Sequence, residues 1–264
     1  MRYKLHYQVF GTGRNTLLAF HGFGQDSSIF AELAAALPEC TVYSFDLFFH
    51  GKSQWFDSLD HLTPTLWQTI LTDFLVKHQI DRFSIVGYSM GGRMAMLAAQ
   101  YFANKIDKFW LIAPDGILLN AWYRVATKHT LLQKVFRWVT HTRPESFDWL
   151  VALLRKLKGV HPSLLRLAQT QMSTPQLRKR LYQTWMLHRN LEVEINNLAK
   201  ILNQQSVRLE CYIGKYDRII TKEVVEKLLN LLENKQLHIL NAGHERLPIA
   251  VAEHLQLQKT ILQP

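Results

Sequence analysis

Short apolar runs of strand length alternate with helical stretches along most of this 264-residue chain, and this alternation limits the possible folds more than any other feature. The predicted strands span residues 3–10, 16–20, 41–45, 82–86, 108–113, 207–213 and 236–240. The predicted helices of the same regions span residues 28–37, 63–79, 90–103, 222–232 and 248–261. Strands that alternate with helices form a mostly parallel sheet covered on both faces, so we predict a doubly wound α/β fold.

Residues 116–205 break this alternation, because their pattern is helical almost throughout. About 90 residues of helix are more than a crossover between two parallel strands needs. The segment holds 14 Lys and Arg against 4 Asp and Glu, whereas the rest of the chain holds 17 of each sign. We therefore predict an α/β core formed by residues 1–115 and 206–264, with residues 116–205 inserted as a basic helical cap or lid.

The predicted insert also contains tryptophans and prolines. The tryptophans are Trp122, Trp138, Trp149 and Trp185. Pro144, Pro162 and Pro175 separate helical stretches such as 163–171 and 176–186, and Thr174 is the predicted N-cap before Pro175. Positive charge beside tryptophan fits a solvated helical surface, attraction of an anionic substrate, or contact with an anionic membrane. No nucleic-acid motif accompanies the charge, so we predict no nucleic-acid partner.

Several other classes of protein are excluded by the sequence. Cys40 and Cys211 are widely separated and form neither a disulfide scaffold nor a zinc motif. His244-Glu245 begins like HExxH, but Pro248 occupies the position of the second histidine. Neither a P-loop nor a GxGxxG fingerprint after the first strand is present. No segment resembles a signal peptide or reaches the roughly 20 apolar residues of a membrane helix, so a cytoplasmic protein is expected.

A glycine-flanked serine connects the fourth predicted strand to the helix that follows it. Positions 87–91 carry GYSMG, which fits the pattern GxSxG. A sharp turn from strand to helix crowds the backbone, so glycine is needed two residues before and two residues after Ser89. Such a turn exposes the Ser89 hydroxyl at the carboxyl edge of the sheet and directs a helix N-terminus at the reacting atoms. We predict that Ser89 is a nucleophile.

A second glycine-bearing loop, HGFG at positions 21–24, directly follows the strand 16–20. Its backbone can direct the N–H of Phe23 towards the nucleophile, beside the N–H of Met90. Two such donors form an oxyanion hole, in which each contributes about 3 kcal/mol of transition-state stabilisation. The neighbouring residues predicted to contact substrate are His21, Gly22 and Tyr88.

A serine hydroxyl needs an imidazole to accept its proton, and the imidazole needs a carboxylate to fix its tautomer. Asp217 and His244 each lie just past a predicted strand, in the chain order Ser89, Asp217, His244. Loops after parallel strands converge at one edge of a sheet, so these three side chains are predicted to meet. Asp115 also follows a strand and is the rival acid. We favour Asp217, because its strand is the one that precedes His244.

These motifs resemble those of the α/β-hydrolase superfamily. The resemblance rests on HGFG at 21–24, DLFFHGKS at 46–53, GYSMGG at 87–92, GKYDRI at 214–219 and AGHERLP at 242–248. It is closest to small esterases, carbon–carbon bond hydrolases and related lyases, whose caps occupy the position of the insert. It implies that Ser89 is the nucleophile, His244 the base and Asp217 the acid, with no metal or cofactor. Haloalkane dehalogenases and epoxide hydrolases fit poorly, since they carry aspartate in place of Ser89.

One motif departs from the family pattern. Many members carry Asp-x-x-Gly-His-Gly-x-Ser, whereas residues 46–53 here place Phe49 at the first glycine. That loop usually supports the oxyanion loop. A bulky residue there is expected either to close part of the pocket or to rearrange the turn, which affects substrate choice rather than chemistry.

The sequence thus predicts a serine hydrolase that acts on a small or medium acyl substrate, with a carboxylic ester favoured. A carbon–carbon bond hydrolase and a thioesterase with the same triad are the enzyme alternatives. A ligand-sensing protein of the same fold without turnover is the alternative from another class. The sequence leaves the acyl chain length, the leaving group and the oligomeric state open.

Overall fold

The computed structural model describes residues 3–56, 61–118, 121–141 and 173–262. The chain forms two compact units. The first consists of Met1–Phe56, Thr63–Leu118 and Leu191–Pro264, and the second of Asp57–Leu62 and Leu119–Asn190. The predictions for Pro144, Trp149, Pro162 and the helix 163–171 lie outside the described residues.

The strands and helices of the described residues follow the predicted alternation. The strands are β1 (Tyr3–Lys4), β2 (Tyr7–Phe10), β3 (Asn15–Phe20), β4 (Cys40–Phe45), β5 (Gln54–Trp55), β6 (Phe83–Tyr88), β7 (Ile106–Ile112), β8 (Leu209–Gly214) and β9 (Lys235–Leu240). The helices are α1 (Ala31–Ala35), α2 (Pro64–Lys77), α3 (Met90–Phe102), α4 (Ala121–Lys128), α5 (Thr130–His141), α6 (Pro175–His188), α7 (Ile195–Gln204), α8 (Lys222–Leu229) and α9 (Leu247–Leu262). The α/β fold class is confirmed.

The main sheet of the first unit has the strand order β2-β4-β3-β6-β7-β8-β9. β2 is antiparallel to β4, and the other neighbouring pairs are parallel. Helices flank this sheet: α1 packs on α9, and α3 packs on α2 and α7. Since β3, β6, β8 and β9 run in the same direction, their carboxyl ends lie at one edge of the sheet. Every predicted site residue follows one of these four ends except Tyr88, which is the last residue of β6.

The predicted strand 3–10 is wrong as a single element. β1 pairs with β5 in a separate two-stranded sheet, whereas β2 joins the main sheet. The break lies at His6, whose N–H donates to Ser53 Oγ at 2.8 Å and whose carbonyl accepts the N–H of Asp46 at 2.9 Å. These contacts with a distant loop replace regular ladder bonds, and a local alternation pattern carries no information about them.

The centre of the main sheet is buried on both faces, as a parallel sheet covered by helices requires. Leu17, Leu18, Ala19 and Phe20 of β3 have no exposed surface. Beside them, the indole N–H of the buried Trp67 donates to the carbonyl of Met94 at 3.1 Å, which ties α2 to α3. β3 and β6 are therefore held rigidly, and the loops at their carboxyl ends start from fixed points.

The structure shows the N-caps of two helices and the length of a third, for which the sequence made predictions. Thr174 accepts the N–H of Leu177 at 3.2 Å, so the predicted N-cap of α6 is confirmed. Thr63 caps α2 in the same way, since it accepts the N–H of Leu66 at 3.1 Å. The predicted helix 28–37 is shorter in the structure. A 3₁₀ turn occupies Ser27–Phe30, and the α-helical part is limited to α1.

The insert is shorter in the structure than in the sequence analysis, because the first unit resumes at Leu191 rather than at residue 206. α7 packs on α3 and α8 of the first unit, with Leu198, Ala199 and Leu202 buried. Its helical pattern continues that of the preceding residues, so no local pattern marks the point at which the chain returns to the first unit. Whether the second unit acts as a cap or lid stays a prediction.

Candidate active site

Ser89 occupies the turn between β6 and α3 in an unusual backbone conformation. Its φ of 51° and ψ of −118° lie in a region that non-glycine residues rarely adopt. The Ser89 N–H donates to the carbonyl of Ile112 at 2.9 Å. The Ser89 carbonyl accepts the N–H groups of Gly92 at 2.8 Å and Asp115 at 2.9 Å. These bonds hold a conformation that costs roughly 1–3 kcal/mol and that is typical of functional sites.

The glycines on both sides of this turn are required by close backbone contacts. A β-carbon at Gly87 would lie 2.4 Å from the carbonyl oxygen of Gly91. A β-carbon at Gly91 would lie 2.0 Å from the carbonyl oxygen of Phe20, at the end of β3. The first turn of α3 therefore touches the end of β3, which brings the loop 21–24 beside Ser89.

His244 links Ser89 to Asp217 through its two ring nitrogens. His244 Nε2 lies 3.1 Å from Ser89 Oγ, and His244 Nδ1 lies 2.7 Å from Asp217 Oδ2. An ionised carboxylate only accepts hydrogen bonds, so Nδ1 carries the proton and Nε2 accepts the Ser89 hydroxyl. In this tautomer the imidazole can take the serine proton when Ser89 attacks a substrate.

Asp217 is held rigidly beneath the imidazole. Its side chain has no exposed surface, and its second oxygen, Oδ1, accepts the N–H groups of Ile219 at 2.8 Å and Ile220 at 3.0 Å. The Asp217 N–H donates to the carbonyl of Gly214, the last residue of β8. The His244 side chain is 14% exposed, so the imidazole is accessible beside Ser89, whereas the carboxylate of Asp217 is shielded from solvent.

The rival acid, Asp115, has a different partner. Its carboxylate forms an ion pair with Arg93 of α3, whose side chain is almost completely buried. The Asp115 N–H donates to the carbonyl of Ser89. Asp115 and Arg93 thus brace the serine turn from the side of α3, and the sequence analysis did not foresee this pair.

Tyr88 contacts His244 and is itself almost completely buried. Its hydroxyl donates to the carbonyl of His244 at 3.0 Å, and the two ring centres lie 5.3 Å apart. Burial raises the pKa of the Tyr88 hydroxyl, and the negative charges of Asp217 and Glu245 raise it further. The hydroxyl therefore stays protonated as a donor. This geometry gives Tyr88 a positioning role towards His244, whereas the sequence analysis expected a substrate contact.

The predicted oxyanion loop, residues 21–24, is joined to the supporting loop, residues 46–53, by hydrogen bonds of two histidines. The buried His21 accepts the N–H of Leu47 on Nε2 at 2.9 Å, so its Nδ1 donates to the carbonyl of Gly22 at 2.7 Å. In return, the Gly24 N–H donates to Nε2 of the buried His50 at 3.1 Å. His21 has no exposed surface, so it supports the loop instead of meeting substrate directly.

Both predicted oxyanion donors belong to segments that adjoin Ser89. Gly22 lies against the serine, since a β-carbon there would be 3.1 Å from Ser89 Cβ. Phe23 is the next residue, and its ring packs on that of His50 at 5.3 Å. Met90 is the first residue of α3, where a backbone N–H has no carbonyl partner within the helix. The oxyanion role of these two N–H groups stays a prediction.

Asp46 connects the supporting loop to the rest of the first unit. Its oxygens accept the N–H groups of Ser27 at 2.7 Å and Lys52 at 2.8 Å, and it lies 2.7 Å from Nδ1 of His6. Burial by itself raises the pKa of the Asp46 carboxyl, but these hydrogen bonds outweigh it and lower the pKa below its usual value. Asp46 is therefore ionised, and its carboxylate is the point at which the hydrogen bonds of the supporting loop meet.

Phe49 lies in the turn of the supporting loop, in a backbone conformation that is unusual for a bulky residue. It adopts a φ of 66°, the left-handed conformation that glycine reaches without strain. Gly51 follows with a φ of 51°, and a β-carbon there would lie 2.1 Å from Asp46 Oδ2. The Asp46 carboxylate thus fills the space beside Gly51 and holds the turn. Phe49 adopts its strained φ within this turn.

The described residues contain no group of three or more His, Cys, Asp or Glu side chains placed to hold a metal ion. Cys211 is buried in β8, and burial raises the pKa of its thiol to about 12. The thiol therefore stays protonated and unreactive at neutral pH. In the described part of the chain, no helix is both long and apolar enough to span a membrane.

Comparisons with known proteins agree with the fold. A family model described as alpha/beta hydrolase fold matches residues 15–247. A putative esterase/lipase of Mycoplasma pneumoniae is 26% identical over 125 residues, which are 47% of this chain and 45% of that protein. The 2-succinyl-6-hydroxy-2,4-cyclohexadiene-1-carboxylate synthase of Enterobacter sp. (strain 638) is 38% identical over 88 residues, 31% of each chain. The match thus spans less than half the length of these relatives.

Among solved structures, a thermophilic esterase from Thermogutta terrifontis superposes with a TM-score of 0.69. The superposition covers 99% of this chain and 93% of that one, at 18% sequence identity. At this identity the likeness concerns the fold alone.

We expect Asp46→Asn to lower the free energy of unfolding by about 1–3 kcal/mol at pH 7, because it removes a buried, hydrogen-bonded charge. The native pKa of Asp46 is lowered, so its pH-dependent stabilisation is full above the unfolded pKa of about 4 and is lost as pH falls towards the native pKa. The difference between wild type and variant therefore shrinks on acidification. Urea unfolding between pH 7 and pH 3 measures it.

The matched control for Asp46→Asn is Asp73→Asn, which alters an exposed carboxylate on α2. It should change the free energy of unfolding by less than about 0.5 kcal/mol at each pH. Equal stability of wild type and Asp46→Asn at pH 7 would contradict the role of Asp46 in holding the supporting loop.

Proposed function

The chain belongs to the α/β-hydrolase fold family, and we propose that it is a serine hydrolase whose nucleophile is Ser89. The observation that carries this proposal is the position of the His244 imidazole between Ser89 Oγ, at 3.1 Å, and Asp217 Oδ2, at 2.7 Å. A neutral imidazole held in that tautomer is the base that a serine hydroxyl needs at neutral pH.

The proposed reaction has two halves that use the same groups. In the first, His244 takes the proton of Ser89 as the oxygen attacks the substrate carbonyl, and the N–H groups of Phe23 and Met90 stabilise the oxyanion. The alcohol then leaves with the proton from His244, and an ester remains between Ser89 and the acyl group. In the second half, His244 activates a water molecule, which releases the acid and returns the proton to Ser89.

Asp217 and the oxyanion loop are held in position before the reaction starts. The carboxylate of Asp217 stabilises the imidazolium that forms in each half, and its fixed position avoids reorganisation of the site. The histidines that join the oxyanion loop to the supporting loop fix the backbone next to Ser89. We propose that these contacts hold the Phe23 N–H in its oxyanion-binding position.

A carboxylic ester is the favoured substrate, and the name of the Mycoplasma pneumoniae relative, putative esterase/lipase, supports this choice. A carbon–carbon bond-cleaving reaction with the same three residues is the second candidate. The similarity to the Enterobacter carboxylate synthase, 38% identity over 88 residues, supports a reaction other than ester hydrolysis. Neither reaction needs a group beyond those already described.

We expect a fluorophosphonate probe to label wild type and to fail on Ser89→Ala, since the probe reacts with an activated serine. Hydrolysis of a p-nitrophenyl ester series should fall by at least about 10⁴-fold in this variant. The control is Ser28→Ala, which removes an exposed serine hydroxyl and should leave labelling and turnover unchanged. Fluorescent gel detection and absorbance of p-nitrophenol measure the two effects.

The two readouts separate the candidate functions. Labelling together with ester turnover supports the esterase. Labelling without turnover of any ester retains Ser89 as a nucleophile and favours the carbon–carbon candidate. No labelling of folded wild type contradicts the proposal and favours a ligand-binding protein of the same fold.

We expect Asp217→Asn and Asp115→Asn to act on different properties. Asp217→Asn should lower kcat by about 10⁴-fold, because an amide can stabilise the wrong imidazole tautomer. Asp115→Asn leaves Arg93 without its ion-pair partner and should lower the unfolding free energy by about 1–3 kcal/mol while retaining most of the turnover. Ester kinetics and urea unfolding of both variants measure this. A larger loss of kcat in Asp115→Asn would contradict the assignment.

A further inference from the structure

The two faces of α5 in the second unit differ in their surroundings. One face packs on α6: the ring of Phe136 lies 5.4 Å from Tyr182 and 5.3 Å from Trp185, and His141 lies 5.0 Å from Tyr182. Thr140, one turn beyond Phe136, is buried. This face therefore forms the inner side of the helix.

The opposite face of α5 is apolar and exposed. Leu131, Val135 and Trp138 are spaced four and three residues apart, which places them in one stripe along a helix. Their exposed fractions are 73%, 46% and 54%. A helix on the surface of a globular protein normally turns polar residues outward, so a continuous outward apolar stripe requires an explanation.

The charge around this stripe has one sign. In the described residues of the second unit, 61–62, 121–141 and 173–190, the Lys, Arg, Asp and Glu side chains comprise eight Lys and Arg and no acid. On α4, an open cavity of about 300 Å³ is lined by Arg124, Val125, Lys128 and His129. His129 of the cavity lies two residues before Leu131 of the stripe, so the cationic cavity and the apolar stripe are neighbours in the sequence.

We propose that this surface, made of Arg124, Lys128, Leu131, Val135 and Trp138 and here called the α4–α5 face, docks on an anionic lipid bilayer. The apolar stripe lies at the boundary between headgroups and acyl chains, and tryptophan favours that boundary. The cavity of α4 receives an anionic lipid headgroup between Arg124 and Lys128. This inference goes beyond the proposed chemistry at Ser89 and does not depend on it.

Charge complementarity selects the lipid surface among the conceivable occupants. A second copy of the chain would bring the same cationic residues against this face, and like charges oppose such a contact. A nucleic acid would match the charge, but the aliphatic side chains of Leu131 and Val135 offer it nothing to bind, and Trp138 alone in the stripe could stack on a base. An anionic bilayer satisfies the cations and the apolar side chains at once.

The test is sedimentation of the full-length protein with vesicles. Vesicles of phosphatidylcholine and phosphatidylglycerol in a two-to-one ratio are compared with vesicles of phosphatidylcholine alone. We expect binding to the anionic vesicles only, and we expect it to weaken as salt is added, because salt screens the cations. Each cation near the surface contributes about fivefold to the partition coefficient, and a buried leucine contributes about tenfold.

Matched variants separate this face from general charge and hydrophobicity. Arg124→Gln with Lys128→Gln should weaken binding by about 25-fold, whereas the control Lys179→Gln with Lys200→Gln removes two exposed cations elsewhere and should change it less than about twofold. Leu131→Ser should weaken binding by about tenfold. Its control, Leu257→Ser on α9, alters a leucine that is 63% exposed and should leave binding unchanged.

Three outcomes would overturn the proposal. The first is absence of binding to the anionic vesicles by folded wild type. The second is an equal effect of the α4–α5 variants and their controls, which would indicate attraction by net charge alone. The third is a wild-type dimer in sedimentation velocity that Leu131→Ser converts to a monomer, which would identify a second copy of the chain as the occupant.

Discussion

The strained backbone at Ser89 is the constraint on which the candidate site depends. The positive φ of Ser89, between β6 and α3, is stable only because the Ser89 backbone is fully hydrogen-bonded. Its N–H donates to Ile112, and its carbonyl accepts from Gly92 and Asp115. The same turn sets the first residues of α3 against the end of β3. Ser89, the N-terminus of α3 and the loop 21–24 are thereby positioned by one short segment.

Two further sets of contacts bring the remaining groups to this segment. Asp217 and Tyr88 both hold His244, Asp217 through a ring nitrogen and Tyr88 through the backbone carbonyl. On the other side of Ser89, the buried Asp46 orders the supporting loop, whose His50 accepts an N–H of the oxyanion loop. Burial makes each of these polar contacts costly to break, so the site is preorganised by its surroundings.

How much could be predicted from the sequence depends on how local each feature is. Ser89 and His244 follow strand ends in short motifs, and the fold class follows from the strand–helix alternation, so patterns within a few residues suffice. The placement of Tyr88 on His244 joins residues 156 positions apart, and no local pattern encodes it. The strained φ of Phe49 escaped prediction for the same reason, since the distant contacts of its loop hold it.

The central claim is that Ser89 forms a covalent bond to the acyl group, and the mass of the intact protein during turnover tests it most directly. Wild type is mixed with p-nitrophenyl acetate, whose good leaving group makes acylation fast, and is then quenched in acid. The account predicts a burst of about one p-nitrophenol per protein and one acetyl group in the intact mass. After proteolysis of the quenched protein, that acetyl group should lie on the peptide that contains Ser89. Ester hydrolysis with no burst and no adduct, or with an adduct on another residue, would contradict it.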